Sequence, residues 1–388
     1  MVRAGELPSG ADVVVVGAGI VGCSAAYHLA AAGAGTVLVL DREDAVGRGS
    51  TGACAGGFRQ QFTSEVNVRL SQASVPMILG FSEEHGIPMT VSRDGYLFLV
   101  REESTWEGFV RGVELQRSMG VRVEVLDAAG AAALVPGIAV DDLVGATFGP
   151  DDGIADPAAL TQGYAALARR EGAVFGLGVT VGSIELDGGA VTGVRTDLGA
   201  VAASAVVLAA GAWSGALAAT AGLDLPIEPV PRVVVTTGPF PGVPARRTLV
   251  IDADTSFYFH READGVLMGM GGEDHPSFDT TVDDGFVEAE LIPCAVRAFP
   301  PLAEAGVRST WAGLYEMTPD RHPIVGPAPR PGLWIAAGFS GHGFQHGPIV
   351  GKLVAEMVVD GAARSADIGG LSLERFARGE LVREGHVV

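Results

Sequence analysis

Residues 12–22 read DVVVVGAGIVG, and this stretch decides which fold we expect. The continuous β-branched run at Asp12–Val16 is typical of a buried parallel strand. Gly17, Gly19 and Gly22 follow it in the spacing GxGxxG. The first glycine permits a tight turn, the second lets the backbone approach a pyrophosphate, and the third lets the next helix pack against the strand. The stretch therefore predicts a strand, a phosphate-binding turn and the start of a helix.

The residues that follow complete a βαβ unit. The segment CSAAYHLAAAG predicts a helix that a glycine ends, and Thr36–Asp41 predicts the next strand. Asp41 lies nineteen residues after Gly22, at the end of that strand, where a carboxylate accepts hydrogen bonds from a ribose diol. This unit opens a doubly wound sheet, but it does not by itself separate NAD from FAD.

Length and charge narrow the classes of protein. The chain has 388 residues, more than the roughly 250–300 that one core usually supports, so we expect two domains. Its net charge of −20 argues against nucleic acid and anionic membrane surfaces as partners. The three cysteines, Cys23, Cys54 and Cys294, are too scattered for a disulfide framework or a zinc site.

We also predict no membrane insertion and a cytoplasmic location. Residues 1–10, MVRAGELPSG, lack the apolar core of a signal peptide. The apolar run from Val13 to Leu40 is interrupted by glycines, which favours strand–turn–helix–strand over a membrane span.

Three later segments favour FAD over NAD. They are GRGST at 47–51, VVLAAGAWS at 206–214 and LWIAAGFSGHGF at 333–344. The last two each predict a strand that ends in a turn of small residues, which would place backbone N–H groups over a flat ring system. An NAD enzyme would need only the first fingerprint.

Other patterns give the remaining elements. Helices are predicted at Glu65–Ser82, Ser104–Met119, Asp156–Glu171 and Pro348–Asp360, and strands at Val230–Thr237, Ser256–Met270 and Gly332–Ala337. TVSRDGYLFLV at 90–100 predicts a hairpin.

The fold class is α/β, with a Rossmann-type FAD-binding domain interleaved with an α+β substrate domain built on an antiparallel sheet. The predicted FAD-binding domain comprises residues 1–85, 150–217 and 306–365. The substrate domain comprises 86–149 and 218–305, and 366–388 form a C-terminal tail.

The chain resembles the FAD-dependent amine oxidoreductases that include glycine oxidase, sarcosine oxidase and D-amino-acid oxidase. The motifs that carry the resemblance are GAGIVG, GST…GGFRQQF, DGIADP, VVLAAGAWS and AGFSGHGF, over about residues 11–365. GGFRQQF and the C-terminal RFARGEL are most similar to the β subunits of heteromeric L-proline dehydrogenases and of sarcosine oxidase. The resemblance implies hydride transfer from the substrate carbon to flavin N5, giving an imine, with a small amino acid or secondary amine (proline-, sarcosine- or glycine-like) as substrate.

The fingerprint and the resemblance together give a set of FAD-binding candidates. These are Gly17, Gly19, Ile20, Gly22, Asp41, Arg42, Ser50, Thr51, Val179, Ala210, Gly211, Trp213, Gly313, Gly338, Ser340, Gly341, His342, Gly343 and Phe344.

The resemblance also implies a set of substrate-site residues. Arg59 matches an arginine that binds the substrate carboxylate, and a guanidinium suits that task because its planar fork is bidentate. Tyr258 and Tyr315 match positions that line the substrate pocket, and His260 is a weaker candidate beside them. Gln345 stands where relatives carry a second carboxylate-binding lysine, which weakens the case for a simple glycine-type substrate.

Two further ligand arrangements are considered and set aside. His342 and His346 have the i, i+4 spacing of metal ligands, but GHGFQH is expected at a turn and no third ligand is evident, so we predict no metal. Relatives that tether flavin covalently do so through a cysteine, here Gly313, or a histidine, here absent from residues 50–62 and replaced by Ala155 at another such position. We therefore expect FAD to be non-covalent.

The lysine content bears on the electron acceptor. The chain has one lysine, Lys352, whereas sarcosine oxidases place a lysine near flavin N5, and the matching stretch here offers Met268 or Met270. Without that cation, reaction with O2 is less favoured, so we expect a dehydrogenase that uses another acceptor. Two alternatives stay open: a D-amino-acid dehydrogenase or oxidase, and a flavin-carrying β subunit that needs a partner subunit for activity.

Overall fold

The computed structural model describes residues 7–385. Most of the stretch used above to argue against a signal peptide, residues 1–6, lies outside that range.

Nineteen strands are numbered in chain order over the described residues. They are β1 (Gly10–Val16), β2 (Val37–Asp41), β3 (Gly57–Phe58), β4 (Val91–Ser92), β5 (Tyr96–Val100), β6 (Glu124–Leu126), β7 (Gly145–Gly149), β8 (Gly153–Ala155), β9 (Val174–Leu177), β10 (Val181–Asp187), β11 (Ala190–Thr196), β12 (Gly199–Leu208), β13 (Glu228–Thr237), β14 (Leu249–Asp252), β15 (Tyr258–Glu262), β16 (Gly265–Met270), β17 (Val307–Met317), β18 (Ile324–Pro327) and β19 (Leu333–Ala337).

Twelve α-helical segments within residues 7–385 are numbered in the same way. They are α1 (Ile20–Ala31), α2 (Ser50–Ala53), α3 (Glu65–Leu79), α4 (Phe81–His85), α5 (Glu103–Ser118), α6 (Ala128–Leu134), α7 (Pro157–Arg170), α8 (Ser214–Thr220), α9 (Asp284–Phe286), α10 (Ile292–Ala298), α11 (Gly343–Asp360) and α12 (Glu374–Arg378).

The first sheet is the predicted doubly wound one. Strand β1 lies between β12 and β2 and is parallel to both, β9 extends the β2 edge, and β19 continues beside β12. Val13 and Val15 face the core under α1, α7 and α11, while Val14 and Val16 face the opposite core, which includes α8. Burial on both faces is what the uninterrupted apolar run predicted.

The second sheet forms the other half of the molecule. Its strand order is β17-β13-β16-β15-β14-β5-β7-β6, and its pairs are antiparallel except β14 with β5. One face packs on an apolar core that includes Val233, Val235 and α10. The opposite face carries polar residues such as Arg232 and Tyr258, which line a cavity. The predicted combination of a parallel dinucleotide-type sheet with a largely antiparallel sheet is confirmed.

Two local predictions are wrong. Residues 90–100 do not form a hairpin, because β4 pairs with β8 in a separate small sheet and β5 pairs with β14 and β7. Helix α11 begins at Gly343 rather than Pro348, so His346 of GHGFQH lies in the helix and not in a turn. The prediction placed Pro348 at the first position of the helix, where its missing N–H costs nothing, but it lies inside α11 and removes one i→i−4 hydrogen bond there.

The structure also differs from two of the predicted segment limits. Strand β17 lies inside the segment assigned to FAD binding, 306–365, yet it pairs with β13 in the second sheet. Residues 366–385 are not a free tail, since Arg375 is buried and forms a salt bridge with Asp320 at 2.7 Å.

Candidate active site

A large cavity lies where the two sheets meet. The turn after β1, the turn after β12 and the loop after β19 bring three strand ends of the first sheet to its wall, and the end of β2 lines it as well. Strands β13, β15 and β17 of the second sheet supply the opposite side. The convergence of these strand ends was the central prediction from the sequence.

The turn after β1 is shaped by very close backbone contacts. Gly17 has a φ of 109°, and a Cβ on it would lie 2.2 Å from the carbonyl oxygen of Ala209. A Cβ on Gly22 would lie 1.9 Å from the carbonyl oxygen of Gly17. Gly22 does not itself line the cavity, so its contribution is to let α1 approach the turn.

The start of α1 carries no acidic residue of its own. Its N-cap residue, Gly19, makes no side-chain cap, and Ile20 N donates to the Thr51 hydroxyl at 3.2 Å. Apart from Asp41, which binds Ala18 N, no carboxylate at this turn offsets the partial positive charge of the helix N-terminus, and this charge favours a pyrophosphate.

Asp41 ends β2 beside this turn. Its Oδ2 accepts a hydrogen bond from Ala18 N at 2.6 Å, and its Oδ1 accepts one from Glu43 N at 2.8 Å. These bonds orient the carboxylate toward the cavity that it lines, the position expected of a ribose-binding acid.

Most of the predicted FAD-binding residues line the one cavity. They are Gly17, Gly19, Ile20, Asp41, Arg42, Ser50, Thr51, Val179, Ala210, Gly211, Trp213, Gly313, Gly341, His342, Gly343 and Phe344.

Gly338 and Ser340, like Gly22, lie behind the cavity wall. Gly338 N donates to the Glu316 carboxylate at 2.8 Å, and Thr318 N donates to Ser340 Oγ at 3.1 Å. These two residues shape the loop before α11 and do not line the cavity. Burial raises the pKa of Glu316, which lines the cavity, to about 7.

Arg59 is held at the far end of the cavity. It is 4% exposed, and its guanidinium donates to the carbonyl oxygen of Gln61 and to His342 Nε2, the latter at 3.4 Å. The guanidinium carbon lies 4.0 Å from the centroid of the Phe62 ring. Burial lowers the pKa of Arg59, and the negative charge of Glu384 opposes that effect. A guanidinium stays protonated under such conditions, so the cavity contains a fixed cation.

Tyr258 and Tyr315 both line the cavity, as predicted. Burial raises the pKa of each phenol, and for Tyr315 the charge of Arg232 opposes the rise. Both hydroxyls are therefore neutral at physiological pH and able to donate a hydrogen bond.

The other two predicted substrate residues have different surroundings. Gln345 lines the cavity, but its Oε1 accepts from Arg59 N at 2.9 Å and its Nε2 is 3.0 Å from His346 Nε2, so it fixes the Arg59 backbone. His260 is buried with its Nδ1 2.8 Å from the Arg261 carbonyl oxygen, and it is not part of the cavity wall. The cavity thus brings Gln345 to the site and leaves His260 outside it.

His342 lies at the N-terminus of α11. Its pKa is lowered well below the usual value by burial and then by the charge of Arg59, so the ring is neutral. Since Nε2 accepts from Arg59, the proton is on Nδ1, which is buried and has no partner within the described residues. In residues 7–385 no cluster of His, Cys, Asp or Glu could hold a metal ion.

Cys54, Tyr96 and Arg232 are among the wall residues that were not predicted from the sequence. Burial raises the pKa of the Cys54 thiol to about 12, and a thiol with such a pKa is a poor nucleophile. Cys54 follows α2, next to the predicted Ser50 and Thr51, whereas only the pairing of distant strands brings Tyr96 and Arg232 to the site, so the sequence offered no local signal for those two.

The cavity fits an FAD. The turn of Gly17 cannot accept a side chain, a Cβ on Gly341 would lie 2.5 Å from the Tyr315 ring, and the buried Nδ1 of His342 is an unused donor. A dinucleotide with a flat ring would occupy this space and meet these groups.

The comparisons with known proteins agree with this arrangement. A model of the family described as FAD dependent oxidoreductase matches residues 12–357. The chain belongs to this family. As an FAD dependent oxidoreductase it takes FAD as its cofactor, and that prediction is confirmed.

Individual relatives of this FAD dependent oxidoreductase cover nearly the whole chain. It is 32% identical to FAD-dependent oxidoreductase domain-containing protein 1 of Xenopus laevis, over 99% of this chain and 86% of that one. It is 31% identical to mitochondrial sarcosine dehydrogenase of Homo sapiens over 95% of its own length, but it spans only 42% of that protein. The crystal structure of L-proline dehydrogenase from P. horikoshii has a TM-score of 0.90 and 34% identity, and the match covers 97% of this chain and 100% of that one.

These likenesses confirm the predicted class, an FAD-dependent amine or amino-acid oxidoreductase. Across residues 7–385, no helix combines the length and apolar character that crossing a membrane requires.

The carboxyl group of Asp152 accepts a hydrogen bond from the residue after Arg59, and it leads to a prediction about how the stability of the protein depends on pH. Asp152 is 1% exposed and accepts from Gln60 N at 2.8 Å, and burial raises its pKa to about 7. An acid with a raised pKa in the folded state binds more protons folded than unfolded, so the free energy of unfolding decreases as pH rises from about 4 to about 7. We expect Asp152→Asn to remove that decrease, on the order of 2–4 kcal/mol, in urea titrations from pH 5 to 8.

Glu185→Gln is the control for this measurement. Arg195 holds the pKa of Glu185 below its usual value, so Glu185 stays ionised throughout that range and its replacement should give a constant offset. Parallel pH profiles for wild type and Asp152→Asn would contradict the assignment.

Proposed function

We propose that this FAD dependent oxidoreductase oxidises the C–N bond of a small amino acid or secondary amine of the proline, sarcosine or glycine type. A hydride passes from the carbon next to nitrogen to flavin N5, the nitrogen loses a proton, and an imine remains. The observation that carries the proposal is the fixed cation Arg59 in the same cavity as the three strand ends. The names sarcosine dehydrogenase and L-proline dehydrogenase among its relatives support it.

Arg59 binds the substrate carboxylate in this proposal. Its backbone is fixed by Gln345, and its guanidinium is supported from below by the Phe62 ring. Because the side chain is already held in one position, little conformational entropy is lost when it orients a substrate. The carboxylate in turn places the C–N bond at a set position in the cavity.

The remaining side chains suit an amine that must give up hydride. Bound FAD supplies the two-electron acceptor. Tyr258 and Tyr315 present neutral hydroxyls, and the His342 imidazole is neutral as well. The positive charge of Arg59 in the same cavity disfavours an ammonium ion, so the substrate nitrogen loses its proton more readily there.

We further propose that the enzyme is a dehydrogenase of the cytoplasm. The single lysine, Lys352, lies on α11 and does not line the cavity, so the lysine that promotes reaction with O2 in sarcosine oxidases has no equivalent. The three cysteines are free, as expected in a reducing compartment.

The first experiment is anaerobic reduction of the purified flavoprotein by a panel of L-proline, sarcosine, glycine and D-alanine. We expect bleaching of the flavin band by one of the first three, and slow return of colour when air is admitted. Bleaching by D-alanine alone would favour the D-amino-acid alternative. No bleaching by the isolated chain, with activity restored by a partner subunit, would favour the β-subunit alternative.

Arg59→Ala tests carboxylate binding directly. We expect KM to rise by about 10- to 100-fold, because a charge-assisted hydrogen bond is lost, while FAD content stays unchanged. Arg308→Ala, which removes an exposed arginine on β17, is the matched control and should alter neither value. Loss of flavin from Arg59→Ala would instead assign Arg59 to the cofactor.

A further inference from the structure

A second cation lines the same cavity, and nothing in the preceding sections gives it a task. Arg232 lies on β13, with Gly313 as its cross-strand neighbour on β17. Its guanidinium carbon is 5.5 Å from the centroid of the Tyr315 ring. The methionines expected on this wall, Met268 and Met270, instead pack into the apolar core on the other face of the sheet. The positively charged side chain on the cavity face of this sheet is therefore Arg232, which was not predicted from the sequence.

Arg232 is only partly paired. Its Nη2 donates to Asp274 and its Nη1 to the Pro231 carbonyl oxygen at 3.3 Å. Its Nε is buried and has no partner within the described chain. Nε and Nη2 form one of the two edges of a guanidinium that can hold a carboxylate in bidentate fashion. Nε, one of the two donors of that edge, therefore makes no hydrogen bond within the described residues.

Arg59 and Arg232 both line the cavity and are held in place by different residues. Arg59 is fixed by Gln61 and His342, and Arg232 by Asp274. The charges of both oppose the rise in the pKa of the Tyr315 hydroxyl, so both lie within electrostatic reach of that phenol. A substrate with one carboxylate can satisfy only one of two such cations.

We propose that Arg232 recognises a second carboxylate, so that the preferred substrate is an amine or amino acid with two acidic groups. This rests on the function proposed above: the substrate keeps the C–N unit of a proline-, sarcosine- or glycine-like amine and carries a second carboxylate in addition. Asp274, on the exposed segment after β16, occupies part of the guanidinium when the second carboxylate is absent.

The test uses inert acids and the FAD-loaded protein, so it does not depend on turnover. Butanoate and succinate have the same chain length and differ by one carboxylate. Their dissociation constants are measured from the change that they cause in the flavin spectrum. We expect succinate to bind about 10- to 100-fold more tightly than butanoate, and Arg232→Gln to remove that preference with little effect on butanoate.

The controls separate the outcomes. Arg308→Gln should leave both constants unchanged. Should Arg232→Gln fail to fold, Arg232→Lys keeps the charge without the fork and should retain only part of the preference. Equal binding of the two acids by wild type, or equal weakening of both by Arg232→Gln, would overturn the proposal. Failure of every amine to reduce the flavin would instead overturn the proposed function.

A second inference comes from a different observation, the burial of Glu384. Its side chain is 1% exposed, and its Oε1 accepts from Thr63 N at 2.9 Å and Thr63 Oγ1 at 2.6 Å. Its Oε2 accepts from Ser64 N at 3.2 Å, Ser64 Oγ at 2.9 Å and Asn67 Nδ2 at 3.1 Å. One carboxylate from the C-terminal segment thus receives five donors at the start of α3.

Thr63, which donates to Glu384, is the neighbour in the chain of a residue that contacts Arg59. Thr63 follows Phe62, whose ring lies under the Arg59 guanidinium and makes an edge contact with His342 at 4.9 Å between centroids. The charge of Glu384 also favours the protonated form of Arg59. Its backbone N donates to the Asp320 carbonyl oxygen at 3.1 Å, which anchors the segment from the other side.

We infer that Glu384 is a positioning residue for Arg59. This rests on the proposed role of Arg59 in substrate binding. In Glu384→Gln, an NH2 group would face hydrogen-bond donors that now bind a carboxylate oxygen. Glu384→Gln should therefore raise KM by about 10-fold with kcat and FAD content nearly unchanged.

The double variant Arg59→Ala/Glu384→Gln identifies the route of the effect. If Glu384 acts through Arg59, the double variant should have the KM of Arg59→Ala alone. Additive effects, or a fall in kcat without a change in KM, would overturn the inference. Thr63→Val, which removes one donor, gives a milder readout if Glu384→Gln does not fold, and Glu380→Gln on the exposed surface is the control. If Arg59→Ala itself leaves KM unchanged, the failure belongs to the proposed substrate site.

Discussion

The close contact between α1 and α11 sets the geometry of this enzyme. A Cβ on Gly347 would lie 2.8 Å from a side-chain carbon of Ile20, and one on Gly351 would lie 2.3 Å from Ser24 Oγ. Only glycine allows the two helices to approach so closely. Because both helices begin at the cavity, their contact brings the phosphate-binding turn and the loop at His342 to the same space. The glycines of α11 thus determine the spacing of the two helix starts that line the cavity.

Charge is distributed unevenly between the surface and the site. The chain has a net charge of −20, yet its cavity is lined by three arginines, Arg42, Arg59 and Arg232, beside the carboxyl groups of Asp41, Glu43 and Glu316. These arginines can attract an anionic group into a cavity of a protein that is acidic as a whole. Arg59 is tolerated in the interior because carbonyl, imidazole and aromatic groups surround it, and because Glu384 lies close enough to favour its charge.

The sequence predicted best where local pattern and function coincide. The unit from Asp12 to Asp41 is as expected, because a buried strand, a glycine turn and a short helix each leave a signature within a few residues. The hairpin at 90–100 was wrong, since two adjacent extended segments joined by Gly95 give the same local pattern whether they pair with each other or with distant strands. The resemblance matched Met268 or Met270 to the lysine near flavin N5, but both pack into the apolar core; in β16 every residue is buried, so the sequence pattern does not show which side chains face the cavity.

The sequence by itself determined the family and the cofactor, and it predicted most of the residues that line one wall of the cavity, because GxGxxG, the acid at Asp41 and the small-residue strand ends are local motifs. Only the tertiary structure decided the composition of the substrate end. Arg232 and Tyr96 reach the cavity on strands far apart in the chain, and Glu384 reaches Thr63 from 321 residues away. Such contacts depend on strand order and on the fit of a terminal segment to a groove, and these are set by long-range packing that no short stretch of sequence encodes.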